Sequence, residues 1–482
     1  MINTTNFQDY PLSDGLLKAI HLLNFETPTK VQELVIPAIL DQKDLIVKSQ
    51  TGSGKTAAFA IPICQLVDWD ENRPQALVIT PTRELAIQVK EDFFHLGRFE
   101  RLKVSALYGK SPFYIQEKEL KQKTHVVVGT PGRIIDHLDR KTFDPSKIRY
   151  LVIDEADEML RMGFVEQIER ILEALPDTRV TIVLSATMPS DISALCTQYM
   201  RDPIHVVIEE EDPVADRILQ TRFEVNDNQK IQLLKDLVTV ENPDSCMIFC
   251  NTQLKVDEVY NELEDQGFTC DKIHGGMEQR DRIRVMEHFK QGYFRYLVAT
   301  DVAARGIDID QIGLVLNFDV PNNCENYVHR IGRTGRLGNL GKAMIFVSPA
   351  DNKLLEDIHQ FIGDKIPLGV RPDQNAVGEA EKEFIAKINA APELKESKGA
   401  KLSEEIMKLH INAGKKTKMR AVDIVGTLCG IEGMTAADIG IINIMDISTY
   451  VEILNHKGEQ VYRELQQKPI KGRLRKVSKA DR

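Results

Sequence analysis

The sequence predicts an α/β protein with two parallel-sheet domains, followed by a small α+β domain. Over the first two thirds of its 482 residues, short unbroken runs of Val, Ile and Leu alternate with amphipathic stretches. Strands buried on both faces of a parallel sheet need such runs, and helices connect them. The residues from 404 onward instead arrange their strand and helix candidates in the order β-α-β-β-α-β. A chain of this length is expected to form two or three domains.

A pause in this pattern separates the first two domains. The apolar runs of the first domain are residues 45–47, 76–79, 126–128, 151–153 and 181–184, and those of the second are 247–249, 296–298, 314–316 and 344–347. Between them, over residues 201–217, two prolines and an acidic run interrupt the pattern. We therefore expect the first domain at 1–208 and the second at 215–367.

An Ala-, Glu- and Lys-rich stretch follows the second domain. We interpret residues 368–403 as a linker with a helix around 379–389. Beyond it, residues 404–482 hold strand candidates at 406–411, 439–445, 449–454 and 474–477, and helix candidates at 423–430 and 459–466. That order is typical of the ferredoxin-like fold of RRM domains.

Charge is distributed unevenly along the chain. The whole protein has 72 acidic and 62 basic side chains, a net charge of −10. Residues 401–482 carry 15 Lys and Arg against 10 Asp and Glu, so this end is at +5 and the remainder is at −15. An acidic body with a basic end favours a polyanionic partner for that end, although a solvated basic surface is the alternative.

Composition also excludes several protein classes. With 42% hydrophobic residues the chain is not disordered, and no apolar run approaches the length of a membrane span. The start lacks the layout of a secretory signal, so we expect a soluble cytoplasmic protein. The seven cysteines form no CxxC pair and have no zinc-site spacing, and we expect buried reduced thiols without metal.

The strongest local signal is a glycine-rich loop between the apolar run 45–47 and a helical stretch. Glycines permit a tight turn that points backbone N–H groups at a phosphate. Lys55 is expected to reach the terminal phosphates, and the Thr56 hydroxyl is expected to bind Mg²⁺. The predicted nucleotide-binding loop consists of Gln50, Thr51, Gly52, Ser53, Gly54, Lys55 and Thr56.

Two further patterns suit nucleotide hydrolysis. Asp154 and Glu155 follow the apolar run 151–153, where one carboxylate can hold Mg²⁺ and the next can activate the attacking water. Asp157 also suits the acidic first turn of a helix. In the second domain, Arg333 and Arg336 are three residues apart, so both guanidinium groups can point at a γ-phosphate, as arginine fingers do. A basic surface stretch is the alternative for this pair.

These motifs, in this order, resemble the DEAD-box family of ATP-dependent RNA helicases from Phe7 to about residue 350. The resemblance implies two RecA-like domains that use ATP and Mg²⁺. It also implies that Phe25 stacks on the adenine, that Gln32 reads the adenine edge, and that Asp308, near Gly306, contacts the ribose.

The same resemblance implies an RNA-binding path across both domains. Ser185 and Thr187 correspond to the motif that couples hydrolysis to unwinding. Lys110 is a departure, because many family members have a second glycine after Gly109, and this lysine adds charge near the RNA. The implied RNA-binding residues are Pro81, Thr82, Arg83, Gly109, Thr130, Pro131, Gly132 and Arg133, followed by Asn251, Thr252, Gly276, Arg282, Thr300 and Asp301.

From residue 404 onward, the sequence is more narrowly similar to the DbpA-type subgroup, whose atypical RRM is directed at large-subunit ribosomal RNA. Ser448 stands where an ordinary RRM has a stacking aromatic, whereas His410 and Tyr450 retain rings in the strands. We therefore expect weak stacking, with packing as the alternative role for Tyr450. Phosphate contacts are expected from Lys415, Lys416, Lys418, Arg420, Lys471, Arg473, Arg475 and Lys476.

The combined prediction is an ATP-dependent RNA helicase that unwinds short duplexes by bending one strand. Its basic C-terminal domain would target it to large-subunit (23S-type) ribosomal RNA and assembling ribosomal subunits, with no membrane partner, and we expect a monomer. An ATP-regulated RNA clamp or scaffold is the alternative. A DNA translocase, which single-stranded DNA would stimulate, is a third hypothesis.

Overall fold

The computed structural model describes residues 6–49, 52–208, 218–301, 312–335, 340–396 and 399–480. The chain divides into two compact units, one formed by Met1–Ile208 together with Ser397–Arg482 and the other by Glu209–Glu396. No helix among these described residues is long and apolar enough to cross a membrane.

The first unit contains a seven-stranded parallel sheet. Its strands are β1 (Leu45–Lys48), β2 (Ala76–Ile79), β3 (Val104–Leu107), β4 (Val126–Gly129), β5 (Tyr150–Ile153), β6 (Val180–Ser185) and β7 (Ile204–Val207). They lie in the order β3-β4-β2-β5-β6-β1-β7. All five predicted apolar runs are strands, and β3 and β7 were not predicted.

Helices cover both faces of this sheet, and alternate strand residues therefore enter two separate cores. Leu45 and Val47 join one apolar cluster, and Ile46 joins the other. The helices are α1 (Asp14–Leu22), α2 (Lys30–Leu40), α3 (Lys55–Leu66), α4 (Arg83–Leu96), α5 (Phe113–Leu120), α6 (Pro131–Asp139), α7 (Ala156–Arg161), α8 (Val165–Ala174) and α9 (Ser190–Tyr199). Burial on both faces is what the unbroken apolar runs require.

The second unit has a six-stranded parallel sheet in the order β10-β11-β9-β12-β13-β8, with strands β8 (Ile218–Glu224), β9 (Cys246–Phe249), β10 (Cys270–Ile273), β11 (Tyr296–Ala299), β12 (Leu314–Asn317) and β13 (Gly341–Val347). Its helices are α10 (Lys230–Glu241), α11 (Gln253–Glu264), α12 (Gln279–Gln291), α13 (Cys324–Ile331), α14 (Asn352–Ile362) and α15 (Gln374–Asn389). Phe384 of α15 is buried in the core of this unit.

The C-terminal module has the predicted β-α-β-β-α-β order. After α16 (Ala400–Glu405) come β14 (Met407–Ile411), α17 (Ala421–Cys429), β15 (Ile439–Ile444), β16 (Thr449–Ile453), α18 (Gly458–Leu465) and β17 (Val477–Lys479). The antiparallel sheet has the order β15-β16-β14-β17. Its last strand begins at Val477, three residues later than predicted.

Short 3₁₀ helices occupy Phe7–Asp9, Asp227–Gln229, Pro349–Asp351, Lys415–Thr417 and Ala436–Asp438. The cysteines are less uniformly buried than expected. Cys429 is exposed, and Cys270 and Cys324 are half-buried, so the expectation of buried thiols is wrong for these three. Cys429 is the last residue of α17, where its side chain is outside the module core.

Candidate functional site

The predicted motifs of the first domain meet at the carboxyl edge of its sheet. Backbone pairing continues past the strand ends, with Ser49 N donating to Ser185 O at 3.0 Å and Asp154 N to Ile79 O at 3.0 Å. The nucleotide motifs follow β1, β5 and β6, which are neighbours, and the RNA motifs follow β2, β3 and β4. At about 4.8 Å per strand, the six loops span about 24 Å. The residues predicted to bind nucleotide and those predicted to bind RNA therefore occupy adjacent halves of one edge, called here the nucleotide half and the RNA half.

Residues from the start of α2 hold the glycine-rich loop. Gln32 Nε2 donates to the Gly54 carbonyl at 3.2 Å, and Thr29 Oγ1 donates to the Ser53 carbonyl at 2.9 Å. Gly54 has φ of +90°, and a Cβ there would lie 2.7 Å from Gln32 Nε2. Only glycine fits this close approach without displacing Gln32. The loop and Gln32 are thus one structural element, although they are distant in sequence.

The remaining aromatic and loop residues that the sequence analysis named differ in exposure. Phe25 is half-buried against the first-domain core, whereas Phe7 is buried within that core. Gly52 is exposed with φ of +83°. Gln50 and Thr51 lie outside the described residues.

The phosphate side of the loop combines a buried cation with a buried carboxylate. Lys55 is 7% exposed, and its ammonium group donates to the Ser49 carbonyl at 2.8 Å. Burial raises the pKa of Asp154, and the charge of Lys55 opposes that rise. Asp154 Oδ1 accepts a hydrogen bond from Glu155 N at 3.0 Å. The Asp154 carboxylate and the half-buried Thr56 hydroxyl offer the hard oxygen ligands that Mg²⁺ prefers, so the residues fit this ion.

Glu155 has a left-handed backbone conformation, with φ of +52°. This conformation costs an L-residue about 1–2 kcal/mol and is concentrated at functional sites. It makes Glu155 the residue that turns the chain from β5 into α7. The backbone conformation at the sheet edge therefore fixes where the side chain of Glu155, which is predicted to activate water, leaves the chain.

Asp157 connects this strand to the loop after β6. Its Oδ2 accepts hydrogen bonds from the backbone N–H and the hydroxyl of Thr187, both at 3.0 Å. Its own backbone N–H donates to the Ser185 hydroxyl at 3.2 Å, and that hydroxyl donates to the Thr187 carbonyl at 2.5 Å. These hydrogen bonds join the carboxyl end of β5 directly to residues 185–187.

The RNA half of the edge has its own polar network. Arg133 Nη1 donates to Ser111 O at 3.0 Å and to Gln116 Oε1 at 2.9 Å, and Gln116 Nε2 donates to Tyr108 O at 3.0 Å. Gln116 is buried and was not predicted. Gln116 binds one side of the turn at Tyr108 and Arg133 binds the other at Ser111, so the bonded pair holds residues 108–111 from both sides.

Helix starts place the remaining RNA-motif residues of the first domain. Thr82, after Pro81, caps α4 by accepting a hydrogen bond from Leu85 N at 3.2 Å, and Pro131 is the first residue of α6. The Arg83 guanidinium lies against Gly109, where an added Cβ would be 3.3 Å from Arg83 Nη2. The other two residues are Thr130, whose N–H pairs with Leu107 O at 2.9 Å, and Gly132.

Lys110 has φ of +59°, in the left-handed region that favours glycine. This conformation gives a physical reason for the second glycine that many family members have at this position. Lys110 adopts the same left-handed turn as a glycine would, but with backbone strain.

In the second unit, Arg330 organises several residues assigned to RNA. Its side chain is 1% exposed and binds Asp301 twice, with Nε–Oδ1 at 2.5 Å and Nη2–Oδ2 at 2.7 Å. Nη2 also donates to Asn251 Oδ1 at 2.8 Å, and Nη1 donates to Asp319 O at 2.8 Å and Asn317 Oδ1 at 3.2 Å. The sequence reasoning missed Arg330, although a charged residue within the apolar side of α13 was a signal.

Thr252, Gly276 and Thr300 follow the carboxyl ends of β9, β10 and β11, whereas the Arg333 carbonyl accepts a hydrogen bond at 3.3 Å from Ile312 N, which precedes β12. Thr252 caps α11 by accepting from Lys255 N at 3.2 Å, and Gly276 N donates to His274 Nδ1 at 3.2 Å. Thr300, Arg282 and Arg333 are each less than 9% exposed. Gly306, Asp308 and Arg336 lie outside the described residues.

Two loops of the C-terminal module bring the predicted basic residues together. Lys471 Nζ donates to Lys418 O at 2.5 Å and to Asp423 Oδ2 at 3.0 Å, which ties the loop before β17 to the loop after β14. The exposed predicted cations on these loops are Lys415, Lys416, Lys418, Arg420, Lys471, Arg473 and Lys476, and Arg475 is half-buried. Tyr450 is half-buried in β16, with its ring centroid 5.1 Å from that of His410.

Three family models match the chain, one after another. Residues 29–195 match the DEAD/DEAH box helicase family, residues 229–338 match the helicase conserved C-terminal domain, and residues 408–479 match the DbpA RNA binding domain.

Individual proteins give the same result. The chain is 53% identical over 478 residues to the ATP-dependent RNA helicase DbpA of Bacillus subtilis, covering 99% of this chain and 100% of that one. It is 41% identical over 382 residues to a DEAD-box ATP-dependent RNA helicase CshA of Bacillus cereus, covering 79% and 73%. A structure of S. cerevisiae Dbp5 bound to RNA and ADP BeF3 matches with a TM-score of 0.70 and 31% identity, covering 80% of this chain and 100% of that chain.

Proposed function

This chain belongs to the DEAD-box family of ATP-dependent RNA helicases, and we propose that it unwinds short duplexes in large-subunit ribosomal RNA during ribosome assembly in the cytoplasm. One observation carries the proposal. The predicted nucleotide and RNA motifs share one sheet edge, and the same chain has a module whose two basic loops converge. The helicase core supplies the reaction, and the module supplies the choice of RNA.

The nucleotide half of the edge holds ATP and activates water. Gln32 and Phe25 bind the adenine, and the loop N–H groups with Lys55 hold the phosphates. Lys55 leaves the Ser49 carbonyl for a phosphate oxygen when ATP enters. Glu155 accepts a proton from the attacking water, and Arg333 with Arg336 stabilises the charge that develops on the γ-phosphate.

Thr56 and Asp154 would hold Mg²⁺, directly or through water. When bound, the ion neutralises charge on the phosphate oxygens. The Asp154 side chain must be ionised for this role, and Lys55 favours the ionised form in spite of the burial of the carboxyl group.

The RNA half binds one strand through its sugar–phosphate backbone. Thr82, Arg83, Thr130 and Arg133 lie on loops whose N–H groups, hydroxyls and guanidinium groups suit phosphate oxygens. The Asp157–Thr187 contact joins this grip to the state of the nucleotide. A strand bent by this grip no longer fits an A-form duplex, so its partner strand is released.

The C-terminal module directs this activity to one RNA. Its basic loops bind phosphates of a folded ribosomal RNA element, while the acidic helicase core contributes little non-specific attraction. Removal of positive charge from these loops should therefore abolish selectivity for that RNA without abolishing ATP hydrolysis.

The test is steady-state ATPase activity of the full chain with three activators: poly(U), a large-subunit ribosomal RNA fragment and single-stranded DNA. We expect strong preference for the ribosomal fragment. The variant Lys416→Ala/Lys418→Ala should lose that preference but keep stimulation by poly(U), because it alters only the module. Lys147→Ala, which removes an exposed lysine of the first domain, is the matched control.

Equal stimulation by both RNAs would reject ribosomal targeting. Stimulation by single-stranded DNA equal to that by RNA would favour a translocase. RNA-stimulated hydrolysis without release of a labelled strand would favour the clamp or scaffold.

A further inference from the structure

The first unit joins the C-terminal module to the first helicase domain through buried contacts. Leu402 of α16 is fully buried in the first-domain core. Arg98 Nη2 lies 3.2 Å from Glu452 Oε1, and both side chains are less than 10% exposed. Lys103 Nζ donates to the Ile442 carbonyl at 2.8 Å. Arg98 and Lys103 belong to the segment between α4 and β3, and the helix that holds Leu402 packs against α1, so the module is seated on one defined surface.

The sheet of the module turns its open face toward that surface. Along β16, Val451 and Ile453 enter the core of the module, whereas Tyr450 and Glu452 point to the opposite face. Glu452 and Ile441 are each 5% exposed because the first domain covers them. This open face is the one that RRM sheets use to stack bases.

The cover is incomplete and leaves a cleft of about 540 Å³. Tyr450, Lys408 and Asn443 line it from the sheet, and Lys103 and Lys123 line it from the first domain. The volume lies within the range of pockets for small organic ligands. A single nucleotide therefore has room here, whereas a duplex does not.

Positive charge dominates the cleft. Its lining includes four lysines, Lys90, Lys103, Lys123 and Lys408, against two acidic residues, Glu91 and Glu119. Burial, with repulsion from Lys123 and Lys415, lowers the pKa of Lys103 to about 8. An anion between these groups would relieve the repulsion. Because Lys415 belongs to the basic loops, the positive surface continues from those loops into the cleft.

An aromatic surface and a polar edge lie beside this charge. The Tyr450 ring contacts His410, and Lys408 Nζ is 5.3 Å from the Tyr450 centroid. Asn443 is paired with Tyr450 across the two strands. A ring that can stack, an amide that can hydrogen-bond a base edge, and lysines for a phosphate are the groups that recognise an unpaired nucleotide.

We propose that this cleft binds one unpaired nucleotide of the RNA that the basic loops hold, with its base on Tyr450 and its phosphate near Lys103 and Lys123. The proposal rests on the proposed function, in which the module binds RNA. It adds that the nucleotide is shared between the module and the first helicase domain. RNA bound in this way has a fixed position relative to the helicase edge.

Photo-crosslinking of the full chain tests the shared site. The probe is the ribosomal RNA fragment with 4-thiouridine at each single-stranded position in turn. We expect one position to crosslink both to the 441–450 region and to first-domain residues near 119–124. Crosslinks confined to the module at every position would overturn the proposal.

Binding by variants tests the two walls separately. Tyr450→Leu should weaken RNA binding by about 5- to 100-fold, whereas Tyr450→Phe should bind like the parent, because stacking needs only the ring. Lys123→Ala, on the other wall, should lower the slope of log affinity against log salt by about 0.7. Lys147→Ala is the control on the same domain. Unchanged affinity and salt slope in both Tyr450→Leu and Lys123→Ala would reject the site.

A free nucleotide is the other source of this chemistry. Lys123 Nζ lies 3.9 Å from the ring centroid of Trp69, the single tryptophan, so Trp69 fluorescence reports anions that reach Lys123. A change with the RNA fragment, and competition by UMP only at high concentration, supports the proposal. Saturation by UMP without competition from RNA overturns it. If the crosslinks persist but ATPase activity shows no ribosomal preference, the targeting proposal fails and the cleft stands.

Discussion

Replacing Arg330 by methionine should destabilise the second unit without affecting the first. The guanidinium group is 1% exposed and makes five hydrogen bonds, two of them to the Asp301 carboxylate. Methionine has a similar length but none of these donors. The substitution would therefore leave Asp301 without its cation and Asn251 without the bond that orients its amide.

Removing one partner of a buried ion pair costs about 3–5 kcal/mol. The Asp301 side chain retains 19% exposure, so water partly replaces the lost donors and about 3–4 kcal/mol is expected. A domain of 150–250 residues loses about 2–4 °C in Tm per kcal/mol. The second unit should therefore unfold about 10 °C lower but remain folded at 25 °C.

Two probes separate the units in one experiment. Trp69 lies in the first unit, so its fluorescence transition should be unchanged. Hydrogen exchange of β9 and β11, whose carboxyl ends lead to Asn251 and Asp301, should accelerate. Equal shifts in both probes would show that the effect is not local and would contradict the argument.

A double variant tests the assigned cause. If the cost comes from an uncompensated Asp301, then Asp301→Leu/Arg330→Met should recover part of the lost stability, because an apolar pair can replace a buried ion pair. A loss below 1 kcal/mol in Arg330→Met, or no recovery in the double variant, would refute the reasoning.

Three further substitutions address other contacts. Lys110→Gly should change the free energy of unfolding, measured by chemical denaturation, by less than about 1 kcal/mol, because relief of the left-handed strain offsets the entropy of glycine. The slope of log RNA affinity against log salt, measured by salt titration, should fall by about 0.7. Thr187→Val removes one hydrogen bond to the Asp157 carboxylate, so about 1.5–3 kcal/mol of first-domain stability and the number of duplexes unwound per ATP should fall; an unchanged ratio would count against coupling through this contact. Arg98→Met should speed hydrogen exchange in β15 and β16, because the unpaired Glu452 carboxylate favours separation of the module from the first domain; unchanged exchange there would mean that the pair does not hold the module.

The central strands could be predicted because their signal is local. Runs such as 76–79 and 126–128 are buried on both faces, so every residue in them is apolar. Strands at the sheet edges do not meet that condition. β7 has three of its four side chains exposed, and β10 contains Asp271 and Lys272. Their pairing with a neighbouring strand is what makes them strands, and no local pattern records that pairing.

The same distinction applies to the site. Ligand-facing residues such as Lys55 and Glu155 occur in compact motifs, because a phosphate or a water must be reached from one loop. The residues that hold those motifs come from elsewhere in the chain. Gln116 and Arg133 together hold the 108–111 turn, and Arg330 lies 29 residues from Asp301.

Arg98 and Glu452 show the limit most clearly, because 354 residues separate them. Each alone reads as an ordinary surface charge on an amphipathic element. Only when the module is seated on the first domain do both lose water, and only then does their pairing matter energetically. The same holds for the cleft beside them, because Tyr450 and Lys123 belong to different domains and share no motif. Sites built between domains depend on surfaces that each domain's sequence describes separately, and they become visible only when the two surfaces meet.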